Sequence, residues 1–279
     1  MSLSRAERWA AGRGFAGSDN HMEPRRLRRI AAAAAFAFWV ATLASSARAG
    51  DDTFSLSLTP YAWLPGAEGT VGVGGFGADV DASVVDIVDA SDELFGVLGR
   101  VEGRFGRLGF YADGGYMRIG IDGVSGRFGL ADVDVDEKIG LVDFGLMYRL
   151  VDERGEDSRL ALDATVGARY WAVKLEIDPA NVVGATRDED WLIPTAGLRG
   201  TIGLGRRWEV VIGGDVGGLG AGSDFSWSAI GTIGYTFNVG SVESSIFAGY
   251  KAIADDFDAG AFTFDATLHG PVIGWRFTF

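Results

Sequence analysis

The sequence predicts an all-β protein, a closed antiparallel up-and-down transmembrane β-barrel of about ten strands, with eight to twelve compatible. Three observations carry that expectation. Segments with a period of two recur along residues 53–279, as half-buried strands require. The chain closes on Trp275-Arg276-Phe277-Thr278-Phe279, aromatic alternating with polar, and ends on an aromatic residue. Near the other end, Arg25-Arg26-Leu27-Arg28-Arg29 precedes an apolar stretch over 30–44 and then Ala47-Arg48-Ala49, the order of a cleaved secretory signal.

Residues 1–49 are therefore expected to be a signal peptide, removed so that the barrel domain spans 50–279. Met22 stands three residues before Arg25 and opens a better n-region, so residues 1–21 read as a mis-assigned start. The apolar stretch is shorter than the ~20 residues a spanning helix needs, and no later segment approaches that length. Secretion implies that the mature chain resides in the cell outer membrane.

The strands are expected at 53–64, 94–104, 107–121, 138–150, 159–174, 190–204, 207–219, 225–237, 241–253 and 262–279. Each is near the length of a tilted membrane strand. In 138–150 the alternation is clearest: Val142, Phe144, Leu146, Tyr148 and Leu150 face one way, and Leu141, Asp143, Gly145, Met147 and Arg149 the other. In 159–174, Leu160, Leu162, Ala164, Val166, Ala168 and Tyr170 oppose Asp163, Thr165, Gly167, Arg169 and Trp171. A helix would scatter those charges around its circumference. Arg104-Phe105-Gly106, Gly203-Leu204-Gly205-Arg206, Asn238-Val239-Gly240 and residues 151–158 read as periplasmic turns. The connections 65–93, 122–137 and 175–189 are longer and acidic, as extracellular loops are. Tyr61, Trp63, Trp171, Trp191, Trp208, Trp227 and Trp275 fall near strand ends, where interfacial girdles form, with some rings expected to turn inward.

A soluble sandwich or a lipocalin-like barrel also alternates, but such a fold needs a polar exterior and an apolar interior. The charges here lie on the face opposite the continuous apolar one. Formal net charge is -13, and removal of 1–49, with its eight Arg and three acids, takes it to -18. A nucleic-acid partner is thereby excluded, because phosphate binding needs basic surface. The absence of cysteine excludes disulfides and thiolate metal sites.

Taking the polar face as the lumen, its acids are Glu102, Asp113, Asp143, Asp163, Glu209 and Asp215, and its bases Arg100, Arg149, Arg169, Arg199, Lys251 and Arg276. Short turns bring Arg100 near Asp113, Arg149 near Asp163 and Arg199 near Asp215 as diagonal neighbours. Equal numbers suit ion pairs that seal a narrow barrel, since each buried charge needs a partner. A selective pore would show one sign predominating.

Loop 65–93 carries seven acids and neither Lys nor Arg. Residues 69–82 read as a glycine-rich hairpin, and 83–93 as a short helix with Ser83 as cap and Val84, Ile87 and Val88 on one face. Asp79, Asp81, Asp132, Asp134 and Asp136 are weak candidates for a divalent cation; no other cofactor is expected. Gly72-Val73-Gly74-Gly75-Phe76-Gly77 matches G-x-G-x-x-G without the strand and helix that a dinucleotide site requires, and so reads as hairpin. Gly213-Gly214 and the glycines over 217–222 suit a strand that makes room for bulky neighbours. His269 is the one histidine of residues 50–279. A hydrolytic site would have to join it to Asp256 or Asp258, or to Ser223 or Ser226.

Leu58-Thr59-Pro60-Tyr61-Ala62-Trp63-Leu64-Pro65-Gly66, residues 84–96, Gly167-Ala168-Arg169-Tyr170-Trp171 and residues 213–227 resemble a family of uncharacterised proteobacterial outer-membrane β-barrel proteins. The resemblance implies a fold and a compartment, and no reaction. Trp275, Phe277 and Phe279 are similar to the signal read by the barrel assembly machinery. The expected function is that of a non-enzymatic envelope or surface protein contacting outer-membrane lipid and lipopolysaccharide. A small pore or transporter, or a hydrolase of lipid or peptide centred on His269, are the alternatives.

Overall fold

The computed structural model describes residues 54–74, 76–83, 97–124, 133–179 and 185–279. The expected signal peptide and the expected helix over 83–93, apart from Ser83, lie outside them. Twelve strands form one antiparallel sheet: β1 Phe54–Trp63, β2 Gly66–Val73, β3 Phe76–Ala82, β4 Val97–Phe105, β5 Leu108–Val124, β6 Val133–Arg154, β7 Ser158–Pro179, β8 Ala185–Leu204, β9 Trp208–Gly218, β10 Phe225–Val239, β11 Val242–Asp258 and β12 Phe262–Thr278. Ten of them, β1 and β4 to β12, pair with their neighbours in order, and β12 closes on β1. Closure removes the edges of the ten-stranded wall and gives its backbone groups partners within it, while β3 stands at an edge of the sheet, paired with β2.

The glycine-rich hairpin is β2–β3. It continues the wall, because β1 and β2 run along β12 in one unbroken register, from Ser57 opposite Thr278 to Val73 opposite Phe262. Following the pairings around the barrel carries Phe54 to Gly66 on that same path, twelve residues further along. A stagger of that size for ten strands requires them to tilt by roughly 40°.

At one end, the turn end, the connections are tight, and Gly106, Gly205 and Gly240 adopt φ near +60°, which glycine alone takes without strain. At the other, the loop end, β6, β7, β8 and β11 run several residues beyond their expected limits. These extensions are rich in acids, including Asp134, Asp136, Glu176, Asp178, Asp188 and Glu189. On β6 and β7 they keep the period of two, Val133 and Val135 alternating with Asp134 and Asp136, and Leu175 and Ile177 with Glu176 and Asp178.

The outward side chains make a continuous apolar band. On β6 it contains Phe144, Leu146, Tyr148 and Leu150, on β8 Leu192, Leu198, Ile202 and Leu204, and on β12 Ile273 and Trp275, all well exposed. On β12 the band stops near Pro271, and His269, Thr267, Asp265 and Thr263 follow on the same face. At the turn end Trp275 stacks on Phe277 at 4.9 Å and Trp208 meets Tyr235 edge-on at 5.2 Å. This matches an aromatic girdle.

Trp63, Trp171 and Trp191 are not in a girdle. They point into the barrel and are 5% exposed or less. Each shares the inward parity of its strand, and ring-sized apolar surface is stabilised more by burial than by contact with headgroups.

Candidate functional site

The interior divides into two zones along the barrel axis. The loop-end zone is an apolar stopper. Trp171 and Trp191 stack with centroids 5.9 Å apart, Trp191 lies parallel to Phe257 at 4.1 Å, and Phe264 leans on both tryptophans at 5.4 and 5.7 Å. Phe262, Leu141, Ile139, Ile193, Ile253, Leu268 and Val71 complete a buried cluster. One carboxylate stands within it: Asp255 accepts from Trp191 Nε1 at 2.6 Å and from the hydroxyl of Ser223. Asp255 is paired with Ala266, beyond the end of the outward apolar band. Burial pushes its carboxyl up to about 6, and the hydrogen bonds from Ser223 and Trp191 oppose that rise.

The turn-end zone is an ionic lattice. Arg169, 1% exposed, is its upper keystone, donating to Asp143 at 2.8 Å, to Asp215 at 2.8 Å and to Ser226 at 3.0 Å. Asp215 also accepts from the hydroxyl of Ser228. Below it a chain of contacts crosses the lumen. Lys251 donates to the Tyr61 hydroxyl at 3.2 Å, and Tyr61 donates to Asp113 at 2.7 Å. Arg100 then bridges Asp113 at 3.2 Å and Glu102 at 3.0 Å, and Arg199 also donates to Glu102. Near the mouth Arg149 grips Asp163 through two bonds of 2.6 and 3.1 Å, Arg104 reaches the same carboxylate at 3.1 Å, and Arg276 pairs with Glu209.

Missing side chains make the room this requires. A Cβ on Gly274 would lie 2.4 Å from the Phe247 ring, and one on Gly167 would stand 2.9 Å from the Tyr111 hydroxyl. A Cβ on Gly213 would stand an ordinary 3.6 Å from Arg199, so this glycine is not what makes room there, whereas one on Gly217 would lie 2.5 Å from the Pro194 carbonyl oxygen.

The structure brings Arg100 to Asp113 and Arg149 to Asp163, two of the three pairs expected across short turns. The expected pair of Arg199 with Asp215 does not form. Arg199 reaches across the lumen to Glu102, and Asp215 is taken by Arg169 and Ser228. Asp215 there gains two partners, the buried Arg169 guanidinium and the Ser228 hydroxyl, in place of one diagonal contact. Arg104 escapes the sequence reading, although it continues the parity of Arg100 and Glu102 on β4.

Among the described residues, this zone holds a deeper and a shallower cavity. The deeper, about 130 Å³, is bordered by Tyr61, Arg100, Tyr111, Asp113, Asp143 and Lys251, among others. The shallower, about 140 Å³, lies at the turn-end mouth between Arg104, Arg149, Arg159, Asp163 and Glu243. Arg199, Glu209 and Arg276 border both.

His269 lies outside the lumen. Its Nδ1 is 2.6 Å from the Tyr250 hydroxyl and its Nε2 3.2 Å from Glu68. Ser223 and Ser226 face the interior instead, held by Asp255 and Arg169. The serine-based hydrolytic arrangement is therefore not assembled. Asp79 accepts from Thr70 at 2.8 Å, Asp132 lies outside the described residues, and Asp134 and Asp136 are backbone partners of Asp178 and Glu176. Among the described residues no group of three metal-binding side chains converges. Trp275, Phe277 and Phe279 occupy the turn end, where Phe279 exchanges backbone hydrogen bonds with Leu56.

No family model and no curated protein matches the chain. Among solved structures it is similar to the outer membrane protease OmpT of Escherichia coli, at 9% identity and a TM-score of 0.46 over 84% of this chain and 99% of that one. It is similar also to Ail, the attachment invasion locus protein of Yersinia pestis, at 13% identity and 0.33 over 82% and 99%. A third is a major outer membrane protein of Thermus thermophilus, at 14% identity and 0.36 over 81% and 100%.

Proposed function

We propose that this chain is an integral outer-membrane β-barrel protein with a sealed lumen and a non-enzymatic envelope or surface role. The observation that carries the reading is the pairing of a continuous outward apolar band with an interior stopped by Trp171, Trp191, Phe257, Phe262 and Phe264. A closed ladder leaves no backbone group unpaired in lipid, which is the condition for a strand protein to span a bilayer. The secretory signal read in the sequence supports export, and with export the turn end faces the periplasm and the loop end the outside. Outward Glu68, Asp79, Asp81, Asp256, Asp258 and Asp265 crown the apolar band at the loop end. They suit contact with lipopolysaccharide phosphates through shared divalent cations.

The test is planar-bilayer conductance of the refolded barrel, with folding established by a heat-modifiable gel shift. A folded barrel that stays electrically silent fits the sealed reading. Discrete openings would overturn it in favour of a small pore. Removal of Phe279 is expected to lower insertion without altering secretion, and unchanged insertion would remove the assembly role of the terminal aromatics.

A further inference from the structure

The ionic zone has all its carboxylates paired and its donors in surplus. Glu102, Asp113, Asp143, Asp163, Glu209 and Asp215 each contact an arginine. Lys251 has no such partner among the described residues. It is 7% exposed, its ammonium makes one hydrogen bond, to the Tyr61 hydroxyl, and it rests over the rings of Tyr61 and Trp63 at 5.6 and 5.1 Å. An ammonium has three hydrogens to donate, so two remain. Arg100 Nε, Arg104 Nη1 and Trp63 Nε1 are also buried without an acceptor. No carboxylate oxygen of the interior is in that condition.

Unmet donors without unmet acceptors define a complement rich in acceptors. Asp113 and Asp143 attract the Lys251 ammonium through space without bonding it, and a buried cation with no bonded counter-charge is costly unless something completes its shell. Lys251 and Arg100 both border the 130 Å³ cavity, and Arg104 borders the 140 Å³ cavity that shares Arg199, Glu209 and Arg276 with it. At ~30 Å³ per water, the deeper cavity has room for roughly four waters, which is the scale of one phosphate or one small carboxylate. Asp113, Asp143, Glu209 and Asp215 also line the cavity, but each is committed: Asp113 to Arg100 and Tyr61, Asp143 to Arg169, Glu209 to Arg276, and Asp215 to Arg169 and Ser228.

We infer that the turn-end half of the lumen is a blind, periplasm-facing binding site for a small free oxyanion, a phosphate or a compact carboxylate, anchored by the Lys251 ammonium and the Arg100 guanidinium. The anion enters past Arg104 and Arg276 and stops beneath Arg169 and the aromatic stopper. This rests on the sealed-barrel reading for its blind end only. A barrel that conducts yet binds the anion would keep the site and make it a station in a pore.

The refolded barrel in detergent is titrated with inorganic phosphate, and separately with succinate, at constant ionic strength. The intrinsic fluorescence, to which Trp63 beside Lys251 contributes, is the readout. A saturable change is expected with at least one of the two, weakened at least tenfold in Lys251→Met and retained in Lys251→Arg. Phosphate or succinate is also expected to protect Lys251 from reductive methylation in the unaltered protein, read by peptide mass spectrometry, which decides the matter even if Lys251→Met fails to fold. Absence of saturation with both anions, equal affinity in a folded Lys251→Met barrel, or unchanged methylation overturns the inference.

Discussion

The two halves of the interior solve the same packing problem with opposite chemistry. The loop-end half buries rings and aliphatic side chains as a soluble β protein does, with Asp255 as the carboxylate among them. The turn-end half, ringed by the lipid-facing band, is filled with arginines and carboxylates that hold each other. Shape is rigid in the first because rings stack within narrow limits. In the second it depends on charge balance, so that removing one member strands its partners. Arg169 and Trp171, two residues apart on one inward face of β7, mark the boundary.

The largest expected effect follows from breaking that boundary from below. Arg169→Met leaves the half-buried Asp143 and Asp215 without their shared guanidinium, a loss of about 3 kcal/mol. Urea unfolding followed by tryptophan fluorescence should show it. Adding Asp143→Asn and Asp215→Asn should restore most of the loss, since a neutral set no longer strands a charge. If the triple variant is as unstable as the single one, the guanidinium acts by shape and not by charge, and the contrast between the halves fails.

From above, Trp171→Ala empties a ring-sized volume in a region that cannot rearrange its neighbours freely, and should cost about 3 kcal/mol. Its more telling readout is conductance. With Trp191→Ala added, a barrel that folds should begin to pass ions, because the stacked pair at the centre of the stopper is gone and Phe257 and Phe264 have lost the rings they pack on. Continued silence would assign the seal to the ionic half.

How much of this was legible in the sequence differs between the halves. Period-two alternation located all ten barrel strands, and the short hairpins exposed Arg100 with Asp113 and Arg149 with Asp163, which are 13 and 14 residues apart. Arg199 with Glu102, Arg169 with Asp215 and Arg276 with Glu209 are separated by 97, 46 and 67 residues. They meet only because the barrel closes, so local spacing carries no sign of them. The stopper had a local signal, since Trp171 has the parity of Arg169. What hid it was that an aromatic near a strand end has the same signature whether it faces headgroups or the lumen. The β2–β3 hairpin was visible in its glycines, but its role as a continuation of the wall along β12 depends on a register that no single segment encodes.

Asp255 offers a smaller and more specific test of the comparison. Its carboxyl is raised from an ordinary 3.8 to about 6 by burial, so the folded barrel holds a proton that the unfolded chain releases between those values. Stability must then fall as pH rises from about 4 to about 6 and level off above, by on the order of 2 kcal/mol. Asp255→Asn should lose that slope, and the difference between the two proteins in urea midpoint at pH 4.5 and pH 7 isolates it from the other carboxylates. A slope that survives in Asp255→Asn would mean that the apolar half does not strain its single carboxylate.

The smallest effect is expected outside both halves, at His269. With its Nε2 protonated, the ring donates to Glu68 and accepts from Tyr250 at the edge of the apolar band, where Tyr250 is 50% exposed and Glu68 is open to solvent. Hydrogen bonds between partly hydrated groups are worth about 1 kcal/mol or less, because water replaces whatever is removed. His269→Ala should therefore shift the urea midpoint by no more than that and leave conductance and anion binding unchanged. A hydrolytic activity on lipid or peptide that disappears with the same substitution would give the Glu68, His269 and Tyr250 row a role that neither half of the interior supplies, with the phenol standing where the expected serine does not.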